Sequence, residues 1–214
     1  MKDIKVILFD AANTLIYKPQ LFEKLVSVLN KYAYAVELDV LKRNHKILSE
    51  IINFPDVTSK SFYREFNTEL LLSLGIIPNE AILDDIFSNC SYLVWKAFDD
   101  TEYLTKLSYE KAVISNFSVN LHKLLEELIG GDIFSEIIVS EVENLRKPSK
   151  EFFELAINKL QLHPNEILFI GDSLKLDIIP AASIGIRTLL LDREGYYPLI
   201  ENRIQTIKEI EDHL

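Results

Sequence analysis

Apolar runs of about five residues recur at 5–9, 111–115, 136–140, 166–170 and 186–191, each ending in small or polar residues. Runs of that length predict strands buried on both faces. Between the later runs the spacing becomes helical. Residues 119–129 carry Leu121, Leu124, Leu125 and Leu128 on one face, 151–160 carry Phe152, Leu155, Ala156 and Leu160, and 174–184 link the last two runs. Strands alternating with helices predict an α/β fold, a doubly wound parallel (Rossmann-like) sheet with right-handed crossovers.

The stretch from Gln20 to Phe98 has a different character, with apolar residues at helical spacing and no strand-like run. Breaks at Leu38-Asp39, Pro55-Asp56 and between Gly75 and Pro78 divide it into four expected helices, at 20–34, 39–52, 59–74 and 80–98. The chain therefore reads as a core domain of residues 1–17 and 99–214 with a helical domain, 18–98, inserted after the first strand. Linkers at 17–19 and 99–101 would let the insert hinge as a cap.

Composition narrows the class. With 214 residues, 48% apolar and 26% charged, the chain is an ordinary globular protein able to bury a core without staples. Its single cysteine, Cys90, excludes a disulfide framework and a cysteine zinc cluster and fits a reducing cytosol. Charges at Lys2, Asp3, Lys5 and Asp10 flank an apolar run too short for a signal peptide or a membrane span, so a cytoplasmic protein without a membrane partner is expected. Lys plus Arg is 23 against 33 Asp plus Glu, and a net charge of −10 repels a phosphate backbone, making nucleic acid an unsuitable partner. An anionic small molecule would have to be drawn by local groups, a metal, a lysine or helix N-termini.

In a doubly wound sheet the ligand crevice lies beyond the carboxyl ends of the strands. The first run ends at Asp10, the second at Ser115-Asn116 and the fourth at Asp172-Ser173, while the loop after the third carries Lys147-Pro148, with Pro148 suited to the first turn of the next helix. Singly, each is an ordinary cap, turn or surface residue. Together they make a chemically complete set of two carboxylates, a hydroxyl and an ammonium at four strand ends.

This set resembles the haloacid dehalogenase-like (HAD) hydrolase superfamily over nearly the whole chain. FDAANTL looks like the first family motif, ISN the second, KP followed by the FFELA helix the third, and IGDSLKLDIIPAASIGIRTLLL the fourth. The helical insert is similar to the family's smaller helical cap type. The resemblance implies a Mg²⁺-dependent hydrolase in which Asp10 attacks phosphorus to form an aspartyl-phosphate. It places Mg²⁺ between Asp10 and Asp172, with the backbone carbonyl of Ala12 as a further ligand. Ser115 and the backbone N–H of Asn116 would hold phosphoryl oxygens, and Lys147 would neutralise charge growing in the transition state. Asp177 would orient a metal-bound water or Lys147 without touching the ion itself, or simply open the next helix as a favourable acidic residue.

One position departs from the family. Its phosphatases usually carry a second Asp two residues after the nucleophile, as general acid and base, and here that residue is Ala12. Asn13 stands where Gly is usual, and Pro180 where Gly is frequent in the fourth motif. The leading reading is a phosphatase of a small phosphorylated metabolite with another group supplying the proton, favouring good leaving groups. A carbon–phosphorus hydrolase like phosphonoacetaldehyde hydrolase shares the Ala but needs a cap lysine; Lys42 beside His45 is the candidate, although Lys42, Arg43, His45 and Lys46 read as a solvated helix face. A 2-haloacid dehalogenase needs no metal, which the Gly171-Asp172 pair argues against. A catalytically weak relative that binds a ligand or partner is the non-enzymatic alternative. His122 and His163 have no partner at metal-ligand spacing, Tyr92, Trp95 and Phe98 recur as a helical core stripe would, and Tyr17, Phe54 and Tyr63 are candidate pocket residues.

Overall fold

The computed structural model describes residues 4–214; Lys2 and Asp3, two of the charges read near the N-terminus, lie outside them. In chain order the strands and helices are β1 (Val6–Phe9), β2 (Ile16–Tyr17), α1 (Leu21–Lys31), α2 (Leu38–Ile51), α3 (Lys60–Ser73), α4 (Glu80–Cys90), β3 (Lys96–Ala97), β4 (Glu110–Ser115), α5 (Leu121–Leu128), β5 (Glu136–Val139), α6 (Ser140–Glu143), α7 (Lys150–Leu160), β6 (Ile167–Gly171), α8 (Ile179–Ala182), β7 (Arg187–Leu191) and β8 (Arg203–Ile204). The described residues through Tyr17 and from Ala97 onward form one compact unit, and Lys18–Lys96 form the other.

The first unit is built on a six-stranded sheet in the order β5-β4-β1-β6-β7-β8, parallel throughout. Every residue of β1 and β6 is buried, as the continuous apolar runs require. β1 is central, with Leu8 opposite Ala112 on one side and Phe169 on the other. Because the chain first builds outward from β1 through β4 and β5, then crosses to β6, the strand order reverses at β1. Such a switch point opens a crevice at the carboxyl ends of β1, β4 and β6. On one face Val6, Leu8, Ile114, Phe152, Phe153 and Phe169 form the core, with Phe153 meeting Phe169 edge to face at 5.3 Å.

The second unit is helical, α1 to α4 around Leu25, Leu29, Leu41, Phe66, Leu70, Ile82 and Ile86. Two of its helices open as capping chemistry dictates: Ser59 Oγ accepts from Phe62 N at 3.1 Å, and Asn79 Oδ1 accepts from Ile82 N at 3.1 Å.

Several expectations are corrected. The fourth helix ends at Cys90 rather than at residue 98: Ser91 is extended, Tyr92 has φ 54°, and Lys96–Ala97 pairs with β2 in a two-stranded ribbon. The closing Ser88-Asn89-Cys90-Ser91 is rich in residues that compete with the helix for backbone groups. Tyr92, Trp95 and Phe98 are therefore no helical core stripe; Tyr92 is exposed, and Phe98 stacks on Tyr17 at 4.2 Å. Pro148 stands before the N-cap Ser149, outside the first turn of α7. The expected helix at 174–184 is a single π turn, Leu174–Ile178, followed by α8 with Pro180 in its first turn. His45 is not on a solvated face. Its ring meets Phe22 at 5.3 Å and Phe66 at 5.0 Å, both edge to face, and of Lys42, Arg43, His45 and Lys46 only Arg43 is exposed.

Candidate active site

Three strand ends and one interhelical segment deliver the polar residues. Asp10 follows β1, and its N–H donates to Ile170 O at 2.9 Å, so the ladder with β6 continues through the first catalytic candidate. Ser115 closes β4, Asn116 follows it, and Asp172 follows Gly171 at the end of β6. Lys147 comes from the segment between α6 and α7. The loop after β4 is tied to the end of β5, with Phe117 N donating to Ser140 Oγ at 3.0 Å.

The side chains converge as the topology requires. Lys147 Nζ donates to Asp10 Oδ1 at 2.5 Å and to Asp177 Oδ1 at 2.6 Å, and Ser115 Oγ donates to the same Asp10 oxygen at 3.1 Å. Asp10, Ser115, Lys147 and Asp177 are all at most 5% exposed. Burial alone would lower the Lys147 pKa, but the charges of Asp10 and Asp177 outweigh it and raise it above its usual value. Burial pushes the Asp177 carboxyl up, to about 7; Lys147 opposes the rise and the charges of Asp10 and Asp172 add to it. Removing Lys147 from so buried a cluster would leave two carboxylates without their cation, and breaking a buried ion pair in this way costs about 3–5 kcal/mol.

The π turn explains how Asp177 reaches this cluster. Ser173 Oγ accepts from Leu176 N at 3.0 Å, and the wide turn brings the Asp177 carboxylate back so that Oδ2 accepts from Ser173 N at 3.0 Å. Asp177 is thus both a turn residue and a partner of Lys147. It packs directly on Gly171, where a Cβ would stand 2.5 Å from Asp177 Oδ2. The need for glycine at that position arises from this contact, which sequence reading missed.

Asp10, Asp172 and Asp177 each offer a carboxylate oxygen, and the three oxygens lie within 4.8 Å of one another. An all-oxygen set of that span fits a hard divalent cation such as Mg²⁺.

The turn after β1 hangs on one carbonyl: Ala11 O accepts from Leu15 N at 2.8 Å and Ile16 N at 3.0 Å. Ala12 lies on this turn, half-buried, two residues beyond Asp10, and Asn13 follows at φ 63°. Asparagine tolerates the left-handed region, so it serves where the family usually has glycine. Arg193, absent from the sequence argument, braces the turn from outside, donating from Nη2 to Thr14 O at 2.8 Å while its guanidinium grips Asp100 at 2.8 and 3.0 Å. No local pattern marks that pairing, because its members are distant in sequence. The sequence predicts a role for the Asn116 backbone N–H; the structure also shows its side chain paired with the backbone of Lys147.

A family model described as haloacid dehalogenase-like hydrolase matches residues 4–185. The glyceraldehyde 3-phosphate phosphatase of Methanothermobacter thermautotrophicus is 25% identical over 211 residues, covering 89% of this chain and 87% of that protein. Haloacid dehalogenase-like hydrolase domain-containing protein 3 of Danio rerio is 28% identical over 127 residues, 55% of this chain, which spans about half (52%) of that relative's length. Among solved structures, the HAD-hydrolase YfnB from Bacillus subtilis, crystallised bound to magnesium, matches with a TM-score of 0.70 at 19% identity, covering 100% of this chain and 99% of that one. At that identity the structural likeness speaks for the fold. The family model, which spans four of the six strands of the sheet and the residues Asp10, Ser115, Lys147 and Asp172, settles the membership: this chain belongs to the haloacid dehalogenase-like hydrolases.

Proposed function

We propose that the protein is a Mg²⁺-dependent phosphatase of a small phosphorylated metabolite that uses Asp10 as nucleophile. The observation that carries this reading is the shared grip of Lys147 and Ser115 on Asp10 Oδ1. One carboxylate oxygen is anchored, which leaves the other for attack on phosphorus. In the first step an Asp10 oxygen forms a bond to phosphorus while the bond to the leaving oxygen breaks; in the second, water attacks the aspartyl-phosphate, releases phosphate and restores the carboxylate. Lys147 neutralises charge as it grows on the phosphoryl group, and Ser115 with the Asn116 N–H orients its oxygens.

Asp10 and Asp172, with the Ala12 carbonyl, are the residues that would hold Mg²⁺. The ion supplies charge neutralisation that lets an anionic nucleophile approach an anionic substrate. Asp177 steadies Lys147, and its oxygen near the other two carboxylates suits it to hold a metal-bound water. A metal-binding carboxylate set has no task in attack on carbon, which favours the phosphatase over the dehalogenase. The helical unit serves in this reading as the cap. The phosphatase relative of similar length, named for glyceraldehyde 3-phosphate, points to a phosphorylated metabolite of that size.

Ala12 defines the test, since no carboxyl at that position protonates the leaving oxygen. The expected result is that kcat/KM of the native protein with Mg²⁺ falls steeply from aryl to alkyl phosphates as leaving-group pKa rises. Ala12→Asp is expected to flatten the series and speed alkyl phosphates by up to about 10²–10⁴. A flat native series would show that another group already delivers the proton, and absence of turnover for every ester and anhydride tried would overturn the phosphatase reading itself.

A further inference from the structure

Lys147 lies in a stretch without regular secondary structure. α6 ends at Glu143, Asn144 follows in the left-handed region at φ 53°, and α7 opens only at Lys150. The backbone groups of Lys147 therefore belong to neither helix nor sheet, yet its ammonium must meet two buried carboxylates at once. Both backbone groups go to one side chain. Asn116 Nδ2 donates to Lys147 O at 2.9 Å, and Lys147 N donates to Asn116 Oδ1 at 2.8 Å. Only one orientation of the Asn116 amide satisfies both bonds, so the pairing acts like a rung of a sheet ladder and resists twisting.

Asn116 directly follows Ser115, the last residue of β4. The clamp is thus rooted in the same strand end whose hydroxyl touches Asp10, and it carries the register of the sheet into the segment that bears the lysine. We infer that Asn116, through its side-chain amide, is a positioning residue that fixes Lys147 against Asp10, separately from whatever its own N–H does to a bound phosphoryl group. The catalytic consequence rests on the phosphatase reading above. The clamp itself does not.

The chemistry selects asparagine narrowly. Alanine supplies neither bond. Aspartate keeps the size and can still accept from Lys147 N, but it places an anionic oxygen against Lys147 O where a donor is required. The isosteric variant should therefore fail nearly as badly as the truncation, which simple loss of packing does not explain.

The experiment is a double-mutant cycle of Asn116→Ala and Lys147→Ala, with Asn116→Asp as the isosteric control, read as kcat and KM on an aryl phosphate with Mg²⁺. Displacing a charge by about 1 Å costs up to about 10²-fold, so Asn116→Ala and Asn116→Asp are expected to lower kcat by roughly ten- to a hundredfold. In the Lys147→Ala background the Asn116 change is expected to cost less than about twofold, because its effect passes through the missing ammonium. A full multiplicative loss in that background would overturn the inference, as would native kcat in Asn116→Ala. Amide hydrogen exchange at Lys147 reads the clamp without turnover: it is expected to be slow in the native protein and at least about tenfold faster in Asn116→Ala. Unchanged exchange would overturn the clamp. Slow native exchange in a protein that hydrolyses no phosphate would instead overturn the phosphatase reading and leave the clamp standing.

Discussion

At the scale of the residue, the tightest constraint in the site is the absence of a side chain at Gly171. A Cβ there would meet Asp177 Oδ2 at 2.5 Å and Cγ at 2.6 Å, distances no relaxed contact reaches. Asp177 would have to withdraw, and with it one of the two anions that hold Lys147. Gly171→Ala is expected to lower kcat by at least about tenfold and to destabilise the fold by about 1–3 kcal/mol, checked by steady-state kinetics and denaturant unfolding. Unaltered kinetics would mean that the Lys147 to Asp177 contact has no bearing on the chemistry. Asp10, Ser115 and Asp172 were legible in the sequence because each ends a run that can only be a buried strand, and strand ends share a crevice. The Asn116 clamp was not, since it joins segments distant in sequence, and the Gly171 contact was not, since it depends on a π turn at 174–178 where the spacing predicts an ordinary helix.

At the scale of the element, the five long strands were legible from continuous apolar runs, whereas β8 was not: it is two residues long and only Ile204 of it is buried. The end of α4 was missed because Tyr92, Trp95 and Phe98 mimic helical spacing in a segment that leaves the helix at Ser91, turns at Tyr92 and enters β3. α2 shows the opposite error. His45 follows Leu41 by one helical repeat and so faces the same core, but its charged neighbours in sequence masked this. Burial, with the charges of Lys46 and Lys18 adding to it, lowers the His45 pKa from 6.5 to about 4. The unfolded chain then takes up a proton that the folded ring refuses. The stability this gives is complete above about pH 6.5 and is lost as the pH falls toward 4, up to roughly 3 kcal/mol in all. His45→Leu is expected to remove that acid sensitivity. Trp95, the single tryptophan, lies in the same unit, so urea unfolding followed by its fluorescence at pH 7 and pH 4.5 makes the comparison. An equal acid loss in the variant would assign the sensitivity to other groups.

At the scale of the whole molecule, the net charge of −10 opposes an anionic substrate, so attraction must be local. No described helix is long and apolar enough to cross a membrane. The parallel sheet answers the charge problem by collecting at the carboxyl ends of β1, β4 and β6 what the surface lacks: a buried ammonium, a hydroxyl and a carboxylate trio suited to a divalent cation. Phosphorylation of Asp10 during turnover is the central step of the proposed reaction. Its most direct test is to quench the native protein with Mg²⁺ and an aryl phosphate during steady-state turnover, reduce the acyl phosphate with borohydride, and locate the modified residue by mass spectrometry. The expected result is reduction of Asp10 to homoserine in the native protein and no modification in Asp10→Asn. Modification of a different residue, or a phosphoenzyme that persists in Asp10→Asn, would contradict it.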